Sequence, residues 1–325
     1  MPQHAIPPQR LGRRIVGMSA VLLPFRTEAF EPSAAAAAID WYGFESHLQR
    51  TAGAGLIPAL NMDTGFGPQL DREVRIAVLE RTVETIGTGE FVGGVVVVDR
   101  PGAPFDLDAY CREADEVVER GGTPIFFPSY GLTAGEDGDI LARFERLAER
   151  YDTFLAFELG TMFAPFGRIF SLDLFRRLLA IPQCIGAKHS SLDRIAEWER
   201  LRLRDELRPD FRLLTGNDLA IDMVRWGSDY LLGLSTFHPE AFAQRDRWWL
   251  EQDSRVFRLD DLLQYLGAFA FRSPVPAYKH SAAMFLKLAG HLESDATFPG
   301  SPTRPSSDRP ILAAILEDLE QLLGS

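Results

Sequence analysis

The chain has 325 residues, of which 46% are hydrophobic, and a formal net charge of -12. This length and composition allow a large buried core and exclude a chain that is disordered throughout. The negative charge argues against nonspecific nucleic-acid binding, because phosphate contacts need a basic surface.

The cysteines and the N-terminus indicate a cellular compartment. Cys111 and Cys184 are the only cysteines, which supports neither a disulfide framework nor a cysteine zinc site and favours a reducing environment. The first dozen residues are polar and contain prolines, and no 18-residue apolar run occurs. We therefore expect a cytoplasmic protein without a membrane segment.

Short apolar segments alternate with amphipathic ones from Arg14 almost to Asp253. Such alternation is typical of parallel strands connected by helices. The eight predicted strands are residues 15–23, 55–61, 95–98, 124–127, 153–157, 184–188, 211–214 and 230–234.

Helical periodicity continues beyond the last predicted strand. Three helical segments are predicted at 259–271, 275–289 and 310–323, with a proline-rich connector before the last. The predicted organisation is an N-terminal tail (1–13), a barrel (14–253) and a C-terminal helical extension (254–325).

Eight strand-helix units in about 240 residues match the usual size of a closed (β/α)8 TIM barrel. The competing fold is an open doubly wound sheet, which normally carries a glycine-rich turn after its first strand. Here the first strand runs into Leu23-Pro24-Phe25-Arg26. The α/β class with a closed barrel is therefore favoured.

In such a barrel the active site forms where the strands end, at the carboxyl-terminal mouth. Residues that end or follow the predicted strands are the candidates for chemistry. They are Asp63, Thr64, Asp99, Ser129, Tyr130, Glu158, Lys188, His189, Asn217, Asp218 and His238.

Lysine is rare in this chain: Lys188, Lys279 and Lys287 are the only three among 34 basic residues. Unlike arginine, a buried lysine can lose its proton and act as a nucleophile. Lys188 ends an otherwise apolar strand, so we expect a neutral amine that condenses with a ketone. The alternative is a lysine that extends to the barrel rim or pairs with Glu158.

The other two lysines differ in context. Lys287 lies in the last turn of a predicted helix, where a cation complements the helix dipole. Lys279 lies early in the same helix, and the sequence leaves open whether it reaches a site or a partner subunit.

The segment Gly186-Ala187-Lys188-His189-Ser190-Ser191 resembles the Schiff-base segment of the dihydrodipicolinate synthase/N-acetylneuraminate lyase family of class I aldolases. The likeness extends along nearly the whole chain. Further similar segments are Ala20-Val21-Leu22-Leu23-Pro24-Phe25 (first strand and turn), Met62-Asp63-Thr64-Gly65-Phe66 (carboxylate-binding loop), Pro128-Ser129-Tyr130 (proton relay), Leu214-Thr215-Gly216-Asn217-Asp218 (after strand seven) and Pro276-Ala277-Tyr278-Lys279 (C-terminal helices).

The resemblance implies a homodimer or homotetramer that holds pyruvate or another 2-keto acid as an imine on Lys188. An aldehyde would be the second substrate in an aldol reaction, and neither a cofactor nor a metal is expected. The catalytic residues predicted on this basis are Lys188, Tyr130 and Glu158. The predicted substrate-binding residues are Asp63, Thr64, Gly65, Phe157, Gly216, Leu232 and His238.

The chain departs from the family pattern at three positions. The strand-five tyrosine falls on Phe157, which cannot carry a proton. The first threonine of the carboxylate loop is Asp63, whose charge would repel a substrate carboxylate unless it is protonated or bridged. The arginine that holds the second substrate of dihydrodipicolinate synthases falls on Met162, so that activity is not expected.

Another group must then replace the missing phenol as proton carrier. Tyr130 and Glu158 are the first candidates, and Asp63 and His238 are third choices. Strand alternation directs Glu158 away from the face of Phe157, which favours a supporting role unless the strand end twists.

Two other functions remain open. One is a metal-dependent lyase or isomerase with ligands among Asp63, Asp99, Glu158, His189 and His238. The other is a ligand-binding barrel without catalysis. A further hypothesis concerns the substrate, because an apolar mouth favours an aromatic or otherwise apolar keto acid. The residues predicted to make the mouth apolar are Phe66, Phe157, Met162 and Phe163.

Overall fold

The computed structural model describes residues 6–161 and 163–324. Eight parallel strands close into one barrel in chain order, which confirms the predicted (β/α)8 class. The strands are β1 Gly17–Ala20, β2 Ile57–Leu60, β3 Val92–Val95, β4 Thr123–Phe126, β5 Phe154–Leu159, β6 Cys184–Ser190, β7 Arg212–Thr215 and β8 Asp229–Leu232.

Helices alternate with the strands and continue after the last of them. The α-helices in the described ranges are α1 Ala35–Ala38, α2 Trp41–Gly53, α3 Arg72–Ile86, α4 Leu107–Val118, α5 Tyr130–Thr133, α6 Asp137–Ala148, α7 Leu172–Leu178, α8 Arg194–Leu207, α9 Pro239–Glu251, α10 Arg255–Ala270, α11 Tyr278–Leu288 and α12 Arg309–Leu323. Short 3-10 turns include Asp63–Gly65 after β2 and Ile221–Trp226 between β7 and β8.

Packing divides the chain into two compact units, which are described separately. The first unit comprises residues 6–10 and 91–231, and the second comprises residues 11–90 and 232–324. The domain boundaries predicted after residues 13 and 253 stay a prediction.

In the first unit, helices cover the outer face of the strands. Ile140, Phe144 and Leu147 of α6 form a buried stripe, as their helical spacing predicts. Phe144 stacks on Phe154 of β5 with ring centroids 6.2 Å apart. Ser171 caps α7, because its Oγ accepts a hydrogen bond from the Leu174 N–H at 3.0 Å.

The position predicted for the third strand, residues 95–98, is wrong. The strand is Val92–Val95, and Val98 is 71% exposed. The apolar pattern of the sequence does not reveal this strand, because Gly93 contributes no apolar side chain. It is required by packing, since a Cβ there would lie 2.5 Å from the Val117 side chain of α4.

In the second unit, the three predicted C-terminal helices are present as α10, α11 and α12. The segment predicted at 275–289 begins with a 3-10 turn, Val275–Ala277, before α11. Arg304 connects the end of α10 with the segment before α11, because its guanidinium donates to the carbonyls of Ala270 and Pro274.

Phe66 does not line a mouth as predicted, since it is fully buried. Its ring packs edge-on against Phe25 and stacks with Phe298, at centroid distances of 5.5 and 6.0 Å. The turn after β2 carries it inward, where it joins an aromatic core.

No helix within the described parts of the chain has the length and apolar character to cross a membrane.

Candidate active site

Lys188 lies in β6, between β5 and β7. The strand register sets it beside Phe157 on one side and Leu214 on the other. Paired residues of parallel strands direct their side chains to the same face, and the Lys188 Nζ lies 4.5 Å from the centroid of the Phe157 ring. The lysine is half-buried. Its amine is thus set against an aromatic ring toward the carboxyl end of a barrel strand.

Aromatic rings identify the two faces of β4 and β5. Phe126 points toward the helices and packs against Tyr110 of α4, with centroids 5.9 Å apart. Phe127 follows it on the opposite face and meets Phe157 edge-on at 5.1 Å. Because side chains alternate along a strand, the face that carries Phe127, Phe157 and Lys188 is the inner face of the barrel.

Gly216, directly after β7, leaves the space through which the Lys188 side chain runs. A Cβ on Gly216 would lie 2.8 Å from the Lys188 Cε and closer still to the Ser190 Oγ. The Gly216 N–H also donates to the His189 carbonyl at 2.9 Å, which holds the glycine against β6. Gly216 therefore contacts the candidate nucleophile, while its contact with a substrate stays a prediction.

Tyr130 begins α5 and is half-buried. Its ring lies edge-on to Phe166 with centroids 5.5 Å apart. The Asp99 carboxylate accepts hydrogen bonds from the Tyr130 N–H at 2.9 Å and the Gly131 N–H at 2.7 Å. Asp99 therefore fixes the start of α5, and the role of Tyr130 as a proton carrier stays a prediction.

Glu158 lies on the outer face of β5 and is fully buried. Its Oε1 accepts from the Arg200 Nε at 2.6 Å and its Oε2 from the Arg200 Nη2 at 2.9 Å. The His189 Nδ1 lies 2.6 Å from Oε1, and the Phe170 N–H donates to Oε2 at 2.7 Å. The side chain thus points away from the face of Phe157, as strand alternation indicated, and it is engaged by α8.

The Glu158 carboxylate is stabilised in its charged form. Burial acts to raise its pKa, but the electrostatic interactions and hydrogen bonds with His189 and Arg200 outweigh burial and lower the pKa to about 2. A carboxylate held in this way is a poor proton donor near neutral pH. This geometry supports the positioning role that the sequence favoured.

A second buried carboxylate lies on the same outer side. Glu197 of α8 accepts hydrogen bonds from the Ser228 Oγ at 2.5 Å and the Thr215 Oγ1 at 3.0 Å. Burial raises its pKa above the ordinary value despite these contacts. Glu158 and Glu197 are therefore buried carboxyl groups whose pKa values shift in opposite directions.

The second unit contains the loop that resembles a carboxylate-binding site. Thr64 and Gly65 are buried in the Asp63–Gly65 turn, while the Asp63 side chain is 50% exposed. A Cβ on Gly65 would lie 2.9 Å from the Val21 carbonyl oxygen, so glycine permits the turn to approach the chain after β1.

Two residues of α11 meet this loop. Lys279 is 3% exposed, and its Nζ lies 3.1 Å from the Asp63 Oδ1. The Tyr278 hydroxyl donates to the Asp63 Oδ2 at 3.1 Å and lies 2.8 Å from the Thr64 Oγ1. The Asp63 carboxylate thus contacts both the Lys279 amine and the Tyr278 hydroxyl, and Lys279 has a partner within its own chain.

The remaining predicted binding residues have structural partners. The His238 Nδ1 accepts a hydrogen bond from the Ala241 N–H at 3.2 Å, so this histidine caps α9. Leu232 ends β8 and is fully buried, and its carbonyl accepts from the Ser235 Oγ at 2.9 Å. Their contact with a substrate stays a prediction.

The mouth prediction also named Met162 and Phe163. Met162 lies outside the described residues, and Phe163 is 37% exposed.

Sequence reasoning missed the parts played by Arg200 and Tyr278. Arg200 had a detectable signal, because Arg200 and Arg204 recur at helical spacing beside Leu201 on the buried stripe of α8. Tyr278 had none, since its two partners precede it by more than 200 positions in the chain.

Within residues 6–161 and 163–324, no group of three or more His, Cys, Asp or Glu side chains is arranged to hold a metal ion.

No protein-family model and no curated protein matches this chain. Solved structures do match it. Dihydrodipicolinate synthase from Thermotoga maritima superposes with a TM-score of 0.75 at 15% identity, covering 95% of this chain and 99% of the other. A prophage protein of the dihydrodipicolinic acid synthase family from E. coli K12, in complex with pyruvate, gives a TM-score of 0.78 at 14% identity, covering 94% and 98%.

A third structure, KD(P)GA from T. tenax, gives a TM-score of 0.69 at 16% identity and covers 95% of this chain and 99% of the other. Identities this low establish architecture and leave activity to the residues of the site. The resemblance found in the sequence is confirmed at the level of the fold: this chain has the barrel and C-terminal helices of the dihydrodipicolinate synthase structures.

Proposed function

We propose that this protein is a Schiff-base-forming lyase that acts on a pyruvate-like 2-keto acid through Lys188. The single observation that carries the proposal is the position of this amine. It lies on the inner face of β6, against the Phe157 ring, and the lysine side chain runs past Gly216, where a Cβ would lie 2.8 Å from the Lys188 Cε. The likeness of fold to a protein crystallised with pyruvate supports the choice of substrate class.

The chemistry follows from a neutral amine at this position. The Lys188 Nζ attacks the ketone carbon, and the resulting carbinolamine loses its hydroxyl as water when an acid supplies a proton. The iminium that remains withdraws electrons from the adjacent carbon. A carbon-carbon bond beta to the imine carbon can then break or form, or a proton can leave next to it, which covers aldolase, hydratase-aldolase and dehydratase reactions.

The proposal assigns further roles. Tyr130 is a proton carrier, and Glu158 positions β5 and β6 through His189 and Arg200. Asp63, Thr64 and Gly65 form the substrate-carboxylate loop, with Asp63 neutralised by Lys279. The apolar rings of Phe127 and Phe157 favour a keto acid with an apolar substituent. We further propose a cytoplasmic homodimer or homotetramer.

Reductive trapping tests the proposal. The protein is incubated with pyruvate and a panel of aromatic and polyhydroxylated 2-keto acids, and borohydride then reduces any imine to a stable amine. We expect one adduct per chain by intact mass, located on Lys188 by peptide mapping. The matched variants are Lys188→Ala, which should form no adduct, and Lys287→Ala, which should behave as the parent.

Two results would contradict the proposal. One is the absence of an adduct across the whole panel, and the other is an adduct that persists in Lys188→Ala. If keto acids raise the melting temperature without forming an adduct, the protein is a ligand-binding barrel.

A further inference from the structure

The buried face of α8 carries three charged side chains, whereas the buried face of α6 is apolar. Glu197, Arg200 and Arg204 recur at helical spacing and are all buried against the strands. Arg200 donates two hydrogen bonds to the Glu158 carboxylate of β5. A buried charge is tolerated only where polar partners meet it, so Glu197 and Arg204 indicate further polar contacts between this helix and the barrel.

Arg204 and Glu197 make these contacts at opposite ends of β7. The Arg204 guanidinium donates to the Phe211 carbonyl at 3.1 Å, directly before β7 begins. The Glu197 Oε2 accepts a hydrogen bond from the Thr215 Oγ1 at 3.0 Å, where β7 ends. One helix therefore holds this strand at both of its ends.

Thr215 connects the outer face of β7 with the turn that follows the strand. It pairs with His189 in the strand register and points outward like His189, whereas Gly216 follows on the inner face. The Thr215 hydroxyl donates its one proton to Glu197, so its oxygen is left to accept from the Asn217 N–H at 3.4 Å. The hydroxyl thus connects the residues on either side of Gly216.

Gly216 in turn limits the path of the Lys188 side chain. A Cβ on Gly216 would lie 2.8 Å from the Lys188 Cε, so the lysine passes directly against the glycine backbone. On the side of β5, the Lys188 Nζ lies 4.5 Å from the centroid of the Phe157 ring. A displaced turn at Gly216 would therefore change where the amine lies relative to this ring.

We infer that Glu197 is a positioning residue for Lys188, which acts through the Thr215 hydroxyl and the turn at Gly216. The inference rests on the proposed Schiff-base function. Imine formation requires the amine at the correct distance and angle from the ketone carbon, and a misplacement of about 1 Å can slow such a reaction by about 100-fold. Glu197 therefore affects the rate of imine formation from the outer face of the barrel, without taking part in proton transfer.

The test measures the rate of imine formation with pyruvate in the full chain, by borohydride trapping at timed intervals. Thr215→Val removes the hydroxyl and keeps a similar volume, and we expect trapping to slow by about 10-fold. Glu197→Met removes both acceptor oxygens and should slow trapping by a similar factor. Because the two residues act through one hydrogen bond, the double variant should be no slower than the slower single variant.

Ser228→Ala is the matched control for Thr215→Val. Ser228 is as buried as Thr215, and its Oγ donates to the other oxygen of the Glu197 carboxylate at 2.5 Å. This variant should lower the melting temperature about as much as Thr215→Val does, but it should trap at the parent rate. Thr215→Ser keeps the hydroxyl and should restore most of the rate that Thr215→Val loses. A role in stability alone would change the melting temperatures without this difference in trapping.

Each outcome decides the inference. Equal trapping rates in Thr215→Val and Ser228→Ala overturn it, whether both are slow or both match the parent. Slow trapping by Thr215→Ser also overturns it. If Glu197→Met does not fold, the variants at Thr215 and Ser228 still decide. If the parent itself forms no adduct with any keto acid, the proposed function fails and the positioning role fails with it. If the parent forms the adduct and Thr215→Val matches its rate, the inference alone fails.

Discussion

The two faces of strands β5 and β6 differ in how their polar groups are engaged. On the outer face, Glu158 and His189 are fully buried, and Arg200 of α8 donates two hydrogen bonds to the Glu158 carboxylate. On the inner face, Phe157 and Lys188 occupy the paired positions, and the lysine is half-buried against an aromatic ring.

The difference shows how one pair of strands can serve stability and chemistry at once. A buried ion pair with satisfied hydrogen bonds is costly to break, so the outer face holds the strands in register. The inner face carries the candidate nucleophile, Lys188, against the Phe157 ring. Substitutions on the outer face should therefore act first on folding, and those on the inner face should act first on imine formation.

Removal of Arg200 should have the largest effect on stability. Arg200→Met leaves the Glu158 carboxylate and the Phe170 carbonyl buried without this donor. We expect a loss of about 3–5 kcal/mol in the free energy of unfolding, measured in urea. Arg81→Met, which breaks an exposed pair with Glu45, should cost about 1 kcal/mol or less. Equal losses in the two variants would contradict the stabilising role of the buried ion pair on the outer face.

The free energy of unfolding should depend on pH, because Glu158 is held in its charged form in the folded state. Its folded-state pKa is lowered from 4.5 to about 2, so its contribution is fully present above pH 4.5 and is lost as the pH falls toward 2. The stability advantage of the parent over Glu158→Gln should narrow by about 2 kcal/mol between pH 6 and pH 3.

Glu197→Gln should show a pH dependence of stability with the opposite sign. Because burial raises the pKa of Glu197, the stability that protonation gives is lost as the pH rises. The parent should gain stability relative to this variant as the pH falls. Parallel pH profiles for both variants would contradict the assignment of opposite shifts.

Gly216→Ala should have a smaller effect on stability than Arg200→Met and a direct effect on chemistry. The added methyl group would meet the Lys188 Cε at 2.8 Å, so the lysine must move. We expect a loss of about 1–3 kcal/mol and slower trapping of pyruvate. Gly138→Ala in α6, where a Cβ has open space, should trap normally and gain about 0.5 kcal/mol. Normal trapping by Gly216→Ala would show that this glycine does not contribute to the site.

Much of the fold could be predicted from the sequence, because strand and helix periodicity is a local property of the chain. The alternation of segments gave eight strands and the closed barrel, and seven of the predicted strands overlap the observed ones in all or most of their length. The third strand was misplaced because glycines carry no apolar signal. The outward direction of Glu158 also followed from strand alternation alone.

Periodicity in the sequence was enough to predict the barrel, the position of Lys188 in the sixth strand and the faces of its neighbours. The pairing of Lys279 with Asp63, the contact of Tyr278 with Thr64 and the burial of Phe66 in the core became visible only in the folded chain. The two kinds of information differ in the distance along the chain over which they act. Periodicity acts over a few residues, whereas these contacts join segments far apart in the chain, and their formation depends on how the whole domain packs.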